Sequence, residues 1–94
     1  MSLAANLQRD YRAAFLGYLS QREEGPLRTA YEIGRNAVVG GLSILELSKI
    51  HHDVFRIVLS DARPDELNDI VTAASEFFLE VLATYHMASR PIPD

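Results

Sequence analysis

The residues of this chain best suited to chemistry are its three histidines, two of them adjacent, His51 and His52, in the stretch GLSILELSKIHH at 41–52. Imidazole can ligate a metal or act as a general base, so the neighbours one helical turn away decide what it could do. Around His51 these are Leu47, Val54 and Phe55. Around His52 they are Ser48, Lys49, Phe55 and Arg56, and around His86 they are Leu82, Ala83, Ser89 and Arg90. No His-x-x-x-His or Glu-x-x-His pair results, and a chain with no cysteine has no thiolate to add. Neither a metal nor any other cofactor is expected. Ser48 and His52 share a helix face as nucleophile and base would, but no acid completes the arrangement. Glu76 and Glu80 sit one turn apart, and nothing apolar surrounds them to raise a pKa, so they read as a solvated acidic face. Catalysis is disfavoured. His51 is expected to be a hydrogen-bonded core residue, with a tyrosine hydroxyl as a suitable partner.

Four helices position these residues. Proline and glycine interrupt the chain at few places, and between them the apolar period is helical. The first helix spans about 3–22, with Leu3, Leu7, Tyr11, Ala14, Phe15 and Tyr18 on one face. The second spans about 26–39, opening at Pro26 and ending at Gly40-Gly41, with a stripe of Leu27, Ala30, Tyr31, Gly34, Ala37 and Val38. Small residues there imply a close helix approach. The third begins at Ser43, whose partner three residues on is Glu46; the two spell a capping box, with Leu42 and Leu47 at the staple positions. Its charged stripe is narrow, whereas its apolar arc covers about 200°, wider than a helix packed on one side needs. Several helices or a second subunit must therefore enclose it. The fourth runs from about Pro64 to Ser89 with Leu67, Ile70, Val71, Ala74, Phe77, Phe78, Val81, Leu82 and Tyr85 inward. Short connections favour antiparallel neighbours, which predicts an all-α, up-and-down four-helix bundle.

With 94 residues there is room for one domain, assigned to 1–89, with 90–94 (RPIPD) as the start of a linker. The formal charge of -4 has the wrong sign for a phosphate-backbone binder, so nucleic acid is not expected as a partner. No apolar run approaches the roughly 20 residues of a membrane span. A cytoplasmic location is the expectation.

The segment AYEIGRNAVVGGLSILELSKIHHDVF (30–55), followed by FFLEVLATYHMASR (77–90), resembles the N-terminal domain of RsbU-type environmental phosphatases. The likeness centres on Gly34-Arg35, Leu45-Glu46 and Ile50-His51. It implies an all-helical, dimerising regulatory domain that receives a switch kinase of the RsbT type, which stimulates an attached metal-dependent serine phosphatase. In that family the phosphatase acts on an anti-anti-sigma factor in a partner-switching stress response. The metal-binding catalytic domain is not in this sequence, so the chain is expected to be a non-catalytic regulatory domain. A small-ligand sensor, using a cavity near His51 and the tyrosines, is the alternative.

Two sets of contact residues follow. The excess apolar surface predicts a two-fold homodimer, with Leu7, Tyr11 and Phe15 of the first helix and Phe55 and Leu59 of the third at its interface. Arg28, Glu32, Arg35 and Asn36, beside the small stripe of the second helix, form the expected partner-binding face. Ser43, Glu46 and His51 are expected to be structural.

Overall fold

The structure, a computed structural model, describes residues 3–90. The linker expected after Ser89 lies, from residue 91 on, outside the described residues. The described residues form an all-α four-helix bundle of α1 (Leu3–Ser20), α2 (Glu24–Val39), α3 (Ile44–Ser60) and α4 (Leu67–Ser89), with a single 3-10 turn, Pro64–Glu66, before α4. α2 starts two residues earlier than the proline predicts. Pro26 then falls within the first turn, where a missing N–H forfeits no intrahelical bond.

Local chemistry sets the start of α3. The Glu46 N–H donates to Ser43 Oγ at 3.1 Å and the Ser43 N–H donates to Glu46 Oε1 at 3.1 Å, so two otherwise unmatched donors are satisfied reciprocally. Just before it Gly41 takes a φ of 76°, the left-handed region that glycine enters without a Cβ penalty. Leu42 turns inward there, and the Tyr85 hydroxyl donates to its carbonyl at 2.7 Å, tying this corner to α4.

Each helix contributes to one core. Leu7, Tyr11, Phe15 and Tyr18 come from α1, Ala30, Ile33 and Ala37 from α2, Leu47, Ile50 and Val54 from α3, and Ala74, Phe77 and Val81 from α4. Phe77 is its hub: Tyr11 meets it edge-on at 5.2 Å, and Phe15 and Tyr18 lie at 5.6 and 5.9 Å. Such tilted aromatic contacts add to the area they bury.

The packing order differs from the simplest reading of the loops. Although α2 and α3 are consecutive and closely joined, the chief neighbour of α2 is α4, while α1 packs on α2, α3 and α4. Gly34 explains the choice. A Cβ at residue 34 would lie 2.6 Å from the Val81 carbonyl oxygen and 2.9 Å from Thr84 Cβ, so the two backbones approach as closely as they do only because that Cβ is missing.

Side-chain placement also corrects the helical stripes. Ile33, not Tyr31, takes the inward position on α2; Tyr31 is 46% exposed. Leu67 and Val71, expected inward on α4, are 42% and 50% exposed, and Ile44 on α3 is 46% exposed.

Replacing Gly34 by alanine should destabilise the domain by about 1–3 kcal/mol, because overpacking against a backbone carbonyl outweighs the gain in helix propensity. Urea unfolding of Gly34→Ala checks this. A variant as stable as the parent would mean that the α2–α4 crossing is looser than described.

Candidate docking face

The histidine pair separates cleanly. His51 is half-buried and His52 exposed, and only His51 has core partners. The Tyr11 hydroxyl lies 2.6 Å from His51 Nδ1, and the imidazole stacks on Phe78 with ring centroids 3.9 Å apart and planes at 6°. Phe55 runs parallel to it at 5.9 Å. Tyr11 is 1% exposed, and no other acceptor meets its hydroxyl among the described residues. The hydroxyl must therefore donate, which leaves Nδ1 as the acceptor and the ring proton on Nε2. Burial, reinforced by the neighbouring His52, pushes the His51 pKa down to about 4, and burial pushes that of Tyr11 up.

The other candidate groups have different partners. Ser48 Oγ donates to the Ile44 carbonyl at 2.8 Å rather than to His52. Glu76 accepts from the Tyr18 hydroxyl at 3.3 Å and pairs with Arg22, so it bridges the α1–α2 corner to α4. Among the described residues no cluster of three or more His, Cys, Asp or Glu could hold a metal.

Leu7, Tyr11 and Phe15 are 4%, 1% and 1% exposed, enclosed in the chain's own core, and could meet a second subunit only if the bundle opened. Phe55 and Leu59 are half-buried at the edge of α3.

The arrangement on α2 is more open. Arg28, Glu32, Arg35 and Asn36 are all exposed, and none of their side chains makes a hydrogen bond or ion pair among the described residues. They do not form one patch. Arg28 and Glu32 border a hollow of about 690 Å³ with Leu27, Tyr31 and Glu80, and Arg35 borders a smaller one with Tyr31, Glu80 and Met87. Asn36 faces the α1 side instead, in a hollow shared with Asp10, Gln21 and, again, Glu32. Tyr31 is the residue that periodicity missed. Its ring stands between the two α4-side hollows, three residues after Arg28 and four before Arg35, so the three make one exposed stripe about 10 Å long. Unpaired arginines around a half-exposed tyrosine are the residue types that dominate binding at protein interfaces.

The family profile described as "Phosphoserine phosphatase RsbU, N-terminal domain" matches residues 9–88, from the first helix through the last. The chain belongs to this family. Neither a curated protein nor a solved structure matches it. What matches is the N-terminal domain of the RsbU family, over nearly the whole of the described residues. Within this RsbU N-terminal domain the matched region includes the Tyr11–His51 bond, the Gly34 crossing and the whole Arg28–Tyr31–Arg35 stripe. Among the described residues no helix is long and apolar enough to cross a membrane.

The depressed His51 pKa has a definite sign in stability. The folded form resists the proton that the unfolded imidazole accepts at its ordinary value near 6.5, so the contribution is complete above that value and is lost as pH falls towards about 4. Discounted for the solvated part of the ring, the loss between pH 7.5 and pH 5 should be about 1 kcal/mol. Urea midpoints of the parent and of a Tyr11→Phe, His51→Leu double variant should show the variant with the shallower pH dependence. Equal slopes would remove His51 as the source.

Proposed function

We propose that this RsbU N-terminal domain is a regulatory protein-binding and dimerising module that receives a switch kinase of the RsbT type. Docking of the kinase would govern an attached serine phosphatase in a partner-switching stress response that controls sigma factor activity. Family membership supports the class of function. The observation that carries the docking site is the exposed Arg28–Tyr31–Arg35 stripe of α2, with its arginines unpaired and hollows on both sides of the tyrosine ring. Glu32 and Glu80 add acceptors to the same surface, so a partner with both signs of charge and an apolar anchor fits it best.

The small-ligand reading has less support. The space it requires, near His51 and the tyrosines, is filled by the Phe78 stack and the Tyr11 hydroxyl.

Titration calorimetry of a purified RsbT-type switch kinase against the domain tests the proposal. The Arg28→Ala, Glu32→Ala double variant and the Tyr31→Ala variant should each bind at least about tenfold more weakly, with helicity unchanged. If both bind as tightly as the parent, the kinase docks elsewhere. If the parent itself does not bind, the kinase is not its partner.

A further inference from the structure

We infer that Glu76 of α4 is the catch of a latch on the corner between α1 and α2, and that this corner, with the first turn of α2, opens as a unit when Arg22 leaves the carboxylate. The inference does not depend on what the α2 stripe binds.

The two sides of the latch are held differently. Tyr18 is 5% exposed and its ring lies 5.9 Å from Phe77, so its hydroxyl is anchored by the core. That hydroxyl donates to Glu76 Oε1 at 3.3 Å and fixes the carboxylate beside the corner. Arg22 donates to the same oxygen, but from the connection between α1 and α2. Residues 20–25 are all exposed, and a Cβ at Gly25 would meet nothing within 4 Å. The side chains of Ser20 and Gln21 bond locally, to the Gly17 carbonyl and to Glu23. Among the described residues, Arg22 on Glu76 is therefore the one hydrogen bond or ion pair that ties a side chain of 20–25 to another helix of the bundle.

The backbone of the corner supplies little to replace it. Glu23, at the N-cap of α2, makes no capping hydrogen bond with its side chain, and Gly25 in the first turn is a poor helix former. The other end of α2 is built in the opposite way: Leu42 is buried, the Tyr85 hydroxyl holds its carbonyl, and the Ser43–Glu46 box starts the next helix. A segment with exposed backbone bonds and few buried contacts opens most readily. An exposed ion pair is modest in strength and screened by salt, which suits a contact that has to release.

Opening acts on the hollow of about 690 Å³ between α2 and α4. Glu24, Gly25, Leu27 and Arg28 form its α2 wall, and Glu80, one turn along α4 from Glu76, stands opposite. A released corner carries that wall away from Glu80, so the latch sets the width of the hollow.

Amide hydrogen exchange followed by NMR tests this. The N–H groups of Gln21, Glu23 and Leu27, bonded to the carbonyls of Gly17, Gln21 and Glu23, report on the corner, and those of the buried Val54 and Val81 report on the bundle. Arg22→Ala, at an exposed position, and Glu76→Gln, which keeps an acceptor for Tyr18, should each speed the corner amides about two- to fivefold and leave Val54 and Val81 unchanged. The double variant should be no faster than either single one. Raising salt from about 0.05 to about 0.5 M should speed the corner in the parent and not in Glu76→Gln. Lys49→Ala, which breaks an exposed pair within α3, should leave the corner as it is. Corner amides as slow in both single variants as in the parent overturn the latch. So do additive effects in the double variant, or equal acceleration of Val54 and Val81, since the corner would then not open on its own.

Discussion

The Val81 carbonyl oxygen of α4 lies 2.6 Å from where a side chain at residue 34 would begin, and Thr84 and Tyr85 close in beside it. Two helix backbones in such proximity hold each other at fixed rotation as well as fixed distance, because interiors packed this closely have few nearby alternatives. The rest of the bundle is arranged around that contact. With α2 seated on α4, the corner at Gly40–Leu42 must lead the chain away from α2, and α3 finds its partners in α1 and in the other flank of α4. The Tyr85 hydroxyl on the Leu42 carbonyl then pins the corner to the same helix that Gly34 selects.

Both exposed surfaces follow from this. Because α2 turns Ala30, Ile33, Gly34 and Ala37 inward, Arg28, Tyr31 and Arg35 are rotated to the outside beside Glu80 and Met87. Because α3 packs, among the described residues, chiefly on α1 and on one flank of α4, part of its apolar arc stays open: Ile44 is 46% exposed, and Phe55 and Leu59 are half-buried. The Tyr11–His51 bond marks the boundary between covered and open. On one side the hydroxyl is enclosed by the core, and on the other the imidazole lies against Phe78 at the edge of solvent.

The sequence carried the local features well and the neighbour relations poorly. The Ser43–Glu46 cap is legible because it is settled within four residues by reciprocal hydrogen bonds. The inward face of α1 is legible because Leu7, Tyr11, Phe15 and Tyr18 are large and regularly spaced. Tyr31 and Ile33 are harder to rank. Both are apolar enough to belong in a stripe, but a tyrosine can hold its ring at the surface with its hydroxyl in water, whereas isoleucine has no polar atom to leave outside. Leu67, Val71 and Ile44 show a different limit: a helical period tells which arc is apolar and how wide it is, not which part of that arc a neighbour covers. The small residues of α2 announce a close approach without naming the helix that makes it, and loop length points to α3 when the partner is α4. Arg28, Glu32, Arg35 and Asn36 share one helix, yet their division between the α1 and α4 sides depends on that same choice of neighbour.

α4 is common to the two surfaces. One flank borders the α2 groove through Glu80, Ala83 and Met87, and the other carries Val71, Phe78 and Leu82 towards α3. Between the flanks lie Phe77 and Val81, both at 0% exposure, locked against α1 and the α2 crossing. Coupling between two sites needs an element with two arrangements that each site prefers differently. In the structure the middle of α4 is filled by these two side chains. On the proposed reading, a kinase on the α2 stripe would therefore meet a surface backed by this filled core. A dimerising module would present two such stripes in one assembly, and a partner able to engage both would be held by effective concentration.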